Sequence, residues 1–166
     1  MSFSSIDKDK VIFFADAVDG GGEFGELADF ELEGTAGEIH LVLMVAGELS
    51  ADYPYSYTFY NRGIGGNRIV DLFARMRIDM INLKPDMMSI LIGVNDVWHE
   101  YTRQNGVSAE KFELVYSLMI EELLRDLTGL KIMIMEPFVL KGPATKEAWD
   151  TFKNETALRA QTVKEL

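Results

Sequence analysis

The sequence predicts a doubly wound α/β domain, a parallel sheet with helices on both faces, and two observations carry that reading. Four short apolar runs have the length and composition of strands buried on both sides, and the segments between them have helical spacing. Strands alternating with helices imply βαβ units with right-handed crossovers, hence a three-layer α/β/α arrangement.

The first run, Val11 to Asp16 (VIFFAD), follows a charged lead-in. Tyr57 to Asn61 (YTFYN) is a weaker, aromatic-rich second strand. Met87 to Val94 (MMSILIGV) and Lys131 to Glu136 (KIMIME) are the third and fourth, punctuated by Lys84-Pro85 and Glu136-Pro137. Helical spacing occurs in Ile39 to Leu49, with apolar Leu41, Val42, Met44, Val45 and Leu49, and in Ser108 to Leu127. In the latter Ser108 is the candidate N-cap, and Phe112, Val115, Leu118, Met119 and Leu123 form the stripe. Thr145 to Leu166 is helix-like through Trp149, Phe152, Thr156, Leu158, Arg159 and Val163. The cluster Gly20-Gly21-Gly22 and the acidic stretch through Glu33 read as one long connection.

With 166 residues, 48% of them hydrophobic, the chain has the size of one domain spanning residues 1–166 behind a polar lead-in, residues 1–10. A net charge of -11 argues against a nucleic-acid partner, because phosphate binders present basic faces. The absence of cysteine excludes disulfides, thiolate metal sites and a Cys nucleophile. The apolar runs are strand-sized and the first ten residues lack an apolar signal core, so neither a membrane span nor a secretory leader is expected, and the default location is cytoplasmic. No metal or cofactor is expected.

Ligands of open parallel sheets bind at the carboxyl ends of the strands. Three such ends stand out: Ala15-Asp16-Ala17, Asn61-Arg62-Gly63-Ile64-Gly65-Gly66-Asn67-Arg68, and Gly93-Val94-Asn95-Asp96. Singly, each has a plainer explanation in turn geometry or helix capping. Together, their order and spacing resemble the SGNH, or GDSL, hydrolases. Those proteins open with a strand ending in Gly-Asp-Ser, continue to an Asn-Arg-Gly-Ile-Ser-Gly-like turn and then show Gly-x-Asn-Asp. Connecting pieces fit as well: Tyr53-Pro54, Asp71-Leu72, Leu83-Lys84-Pro85-Asp86 and Met135-Glu136-Pro137-Phe138.

The resemblance implies a flavodoxin-like sheet and a serine ester hydrolase acting on small acyl or acetyl-sugar esters. In intact relatives the first-block Ser attacks the carbonyl, a His from a late Asp-x-x-His block takes its proton, and the Asp orients that His. The oxyanion meets the Ser N–H, a second-block Gly N–H and the third-block Asn side chain. Carried over, these positions are Ala17, Gly66 and Asn95, with Asp16, Asn61, Gly65, Asp96 and His99 around the pocket. The departures are severe. Ala17 cannot attack, Ala15 replaces the usual Gly, Gly65 replaces the common Ser, and no Asp-x-x-His block occurs before Leu166. The fold is therefore expected without its last strand and helix.

Other patterns are decoys. Gly20-Gly21-Gly22-Glu23-Phe24-Gly25 satisfies G-x-G-x-x-G, yet Asp16 to Asp19 separate it from the strand, and the acidic residues after it would repel a pyrophosphate. His40 reads as a helical surface residue, Asn154-Glu155-Thr156 as helix surface.

Three readings follow: an acyl-ester hydrolase domain inactive or severely impaired as written, a non-catalytic module holding a carboxylate or acetylated sugar in the residual oxyanion pocket, or an incomplete or engineered form of an active esterase. The last predicts apolar exposure along the fourth strand at Ile132 and Ile134, and homo-oligomers with it.

Overall fold

The computed structural model describes residues 9–15, 30–32 and 36–166. Along the chain these form β1 (Asp9–Ala15), β2 (Phe30–Leu32), α1 (Ala36–Asp52), β3 (Tyr57–Asn61), α2 (Ile69–Asp79), β4 (Met87–Leu91), α3 (Val94–Arg103), α4 (Ala109–Asp126), β5 (Lys131–Met135) and α5 (Trp149–Glu165). The strands make one parallel sheet in the order β2-β3-β1-β4-β5. The chain thus has the predicted α/β fold, and β1 lies at its centre. Among the described residues no helix is long and apolar enough to cross a membrane.

Alternation along β1 builds two cores. Ile12 pairs with Met88 and, beside Ile90, packs against Leu72 and Met76 of α2 and Phe112, Met119 and Leu123 of α4. Val11 and Phe13 point the other way, onto Phe59 and onto Val42 and Ala46 of α1. Successive strand side chains alternate faces, so a central strand serving both cores must be apolar throughout, as VIFF is.

Several expectations need correction. β2 lies inside what read as one connection, and its three residues are too few to show a period. The run predicted from Met87 to Val94 stops at Leu91, because Gly93 takes φ 131° and Val94 opens α3. Among the described side chains of α1, Val42 and Ala46, four apart, are buried, whereas Met44 is 70% exposed and Val45 also faces outward. On α4 Tyr116, not Leu118, completes the stripe Phe112, Tyr116, Met119, Leu123. Ser108 caps α4 as predicted, accepting the Lys111 N–H at 3.4 Å. Along β5 the half-buried Ile132 and Ile134 pack onto the α2–α4 core, while Met133, in register with Ser89 on the opposite face, is 46% exposed. The exposure predicted for that strand falls on the other parity.

Gly106 is tightly enclosed. A Cβ there would lie 2.3 Å from the Asp96 carbonyl oxygen and 2.4 Å from the Glu100 Cβ. Gly47, on α1, has no neighbour within 4 Å of its would-be Cβ. Gly106→Ala is therefore expected to cost about 1–3 kcal/mol through overpacking, and Gly47→Ala to add about 0.5–1 kcal/mol through helix propensity. Urea midpoints of the two variants check the opposite signs.

Candidate active site at the strand ends

The second-block loop leaves β3 at Asn61 and is bound to the central strand at once, the Arg62 N–H donating to the Phe13 carbonyl at 2.9 Å. Asn61 is buried, and its side-chain oxygen accepts the Gly63 N–H at 3.1 Å, an Asx-type turn that starts the reversal. The Asn67 N–H then closes on the Ile64 carbonyl at 3.1 Å, with Gly66 third in the turn at φ 84°. That position of a type II turn needs positive φ, which explains glycine there. Half-buried Gly65 precedes it.

Two arginines brace this loop. Arg75 of α2 donates to the Arg62 carbonyl at 2.6 Å and to the Asn67 side chain at 3.0 Å, bracketing the turn, and is itself held by Asp79 at 2.6 Å. Arg68 forks onto Asp71 at 2.8 and 2.9 Å and reaches the Asn105 carbonyl at 2.6 Å. The Arg68 guanidinium hydrogen-bonded to Asp71 holds that carboxyl below the usual range. Neither brace was read from the sequence, although the spacing of Arg68 and Asp71 is a helix-start signal.

The third block follows β4. Gly93 caps α3, and a Cβ on it would meet Pro137 at 3.1 Å and the Phe112 ring at 3.2 Å. Asn95, 2% exposed, and His99 are four residues apart and so share a face of α3. That face meets the Gly66 turn: the His99 Nε2 lies 3.8 Å from where a Cβ on Gly66 would stand. Asp96 has another use. Fully buried, it accepts the Ile69 N–H, the first of α2, on both oxygens at 3.2 and 3.3 Å. Burial pushes its carboxyl up to about 7, against the opposing pull of the Ile69 N–H, Arg159 and Arg68.

Gly66 and His99 thus meet at the carboxyl ends of β3 and β4, with Asn95 buried one turn before His99 on α3. Asn61 and Asp96 turn inward and hold the loops. Asp16 and Ala17, which continue β1, lie outside the described residues, as does the Gly20 to Gly25 cluster. An apolar groove of about 390 Å³ opens between the β4 and β5 ends, walled by Leu91, Val94, Trp98, Pro137, Phe138 and Leu140.

Residues 41–165 match the model of the GDSL-like Lipase/Acylhydrolase family. The chain belongs to this family. It is similar to an acetylxylan esterase of Geobacillus stearothermophilus, 34% identical over 147 residues, 81% of this chain and 62% of that protein. It therefore spans less than two thirds of that relative's length. Among solved structures it resembles the acetyl xylan esterase AlAXEase, at TM-score 0.64 and 27% identity, covering 94% of this chain and 73% of that one. It also resembles a catalytic serine-to-alanine mutant of the G. stearothermophilus acetylxylan esterase, at TM-score 0.67 and 30% identity, covering 95% and 72%.

The raised Asp96 carboxyl sets a sign for pH dependence. Below about 4 it is protonated in both folded and unfolded chains; between about 4 and 7 only the unfolded chain ionises, so its contribution to stability is lost as pH rises. Asp96→Asn retains an oxygen for the Ile69 N–H and never ionises. The stability of Asp96→Asn relative to the parent is expected to rise between pH 4 and 7 and level off above, in denaturant melts across that range.

Proposed function

We propose that this domain recognises the acyl end of a small ester, or the carboxylate released from one, and turns over esters at no more than a trace rate. The observation that carries the reading is the approach of His99 to the Gly66 turn, one helical turn after Asn95, beside a strand whose sequence continues into Ala17. Donors gathered at a strand end suit a carbonyl or carboxylate oxygen, and by resemblance to the family the Gly66 N–H and the Asn95 amide would supply them. The neighbouring apolar groove offers a wall to the acyl carbon side.

The acetylxylan esterases among its relatives favour an acetylated sugar as the ligand. Small esters rather than polymers of negative charge also fit a chain of net charge -11. The missing nucleophile dominates the chemistry. A methyl group has no lone pair to attack with, and this holds whatever sequence surrounds the domain. His99 contacts the ligand in this reading, with no hydroxyl at residue 17 to activate.

Residual catalysis of p-nitrophenyl acetate is expected at no more than roughly 10³- to 10⁴-fold over water, the level that oxyanion holes leave when triad members are removed. Saturable turnover well above that, or covalent labelling by a fluorophosphonate, would overturn the proposal. Calorimetric titration with acetate, which carries no pyranose ring, is expected to show binding that Asn95→Ala abolishes. Equal binding by both proteins, or by neither, removes the pocket from consideration.

A further inference from the structure

A second cleft lies on the outer side of α3, between its last turns, the start of α4 and the first half of α5. Its cavity of about 420 Å³ is lined by Glu100, Tyr101, Ser108, Thr151, Glu155 and Arg159 together with two valines. We propose that this cleft binds a neutral saccharide, one pyranose ring lying against Tyr101. It makes no use of the ester pocket and stands whether or not that pocket binds a ligand.

Three features select this ligand. The first is a fixed aromatic wall. Tyr101 is 49% exposed, yet its ring is held edge-on by the buried Phe152, centroids 5.2 Å apart at 63°. A rigid ring open on one side suits the flat C–H face of a pyranose, since an aromatic face is slightly negative and apolar.

The second feature is a surround of half-used polar groups. Glu100 spends one carboxylate oxygen on the Gly106 N–H at 3.0 Å, and Glu155 spends one on Arg159 at 3.1 Å. Their other oxygens are acceptors for hydroxyl donors. Thr151 adds a hydroxyl that both donates and accepts, and Ser108, whose oxygen already accepts the Lys111 N–H at 3.4 Å, lines the floor beside it. Alternating donors and acceptors around an apolar plate match a polyol, whose hydroxyls do the same.

The third is the charge balance. Two carboxylates within a chain of net charge -11 repel an anionic sugar or phosphate. A cation meets the Arg159 guanidinium, which already neutralises Glu155 and donates to the Val107 carbonyl. Among the described residues no group of three His, Cys, Asp or Glu could hold a metal ion. A neutral ligand is what remains.

The preformed walls come from three helices whose packing is independent of the ligand, with Arg159 tying α5 to the loop that precedes α4. Titration of the ¹⁵N-labelled full chain with xylobiose and cellobiose, watched by NMR, tests the proposal. Amide shifts are expected in residues 97–108 and 151–159. Tyr101→Ala should weaken binding about three- to tenfold, Tyr101→Phe should retain it, and Asn95→Ala should leave it unchanged. Absence of shifts at any saccharide concentration overturns the cleft. So does loss of binding in Asn95→Ala with none in Tyr101→Ala, which would place the sugar in the ester pocket and support that reading alone. Binding of putrescine or glucuronate in preference to both disaccharides also overturns it.

Discussion

The bond from the Ile69 N–H to the buried Asp96 carboxylate is the constraint on which the site depends. It fastens the start of α2, and with it the end of the Gly66 turn, to the first turn of α3, where Asn95 sits one turn before His99. Two loops from different strands share one geometry because one side chain serves both. A group normally charged at neutral pH is held dry for this purpose, at an energetic cost that its raised pKa records. Gly106 completes the arrangement from below, since only a residue without a side chain lets the backbone approach Asp96 so closely.

How far the sequence reveals this depends on the kind of signal. The long apolar runs and the helical spacings show themselves through periodicity, so β1, β3, β4, β5, α1, α4 and α5 are readable, with errors in where an element ends and in which residue of a stripe faces in. Leu118 and Tyr116 differ by half a turn, and binary pattern alone does not choose between them. α2 escaped because it begins in a loop whose glycines and arginines read as a binding motif, and α3 because it begins inside what looked like strand. β2 has too few residues to display a period.

The site divides in the same way. Gly66 is legible because its place in the turn calls for positive φ, and the structure sets His99 against it. The inward roles of Asn61 and Asp96 are not legible, since an Asn or Asp at a strand end looks the same whether it faces a ligand or a backbone amide. The Arg75 clamp is a tertiary contact between a helix and the loop eight to thirteen residues earlier. Only the folded backbone shows that these groups meet.

The braces that shape the strand-end loops run through Arg68, Arg75, Asp96 and Gly106. The groups that hold these loops in place, Asn61 and Asp96 among them, are distinct from Gly66 and His99, which meet at the turn. A substitution at that meeting point can alter what the strand ends receive while the bonds that shape the loops stay as they are.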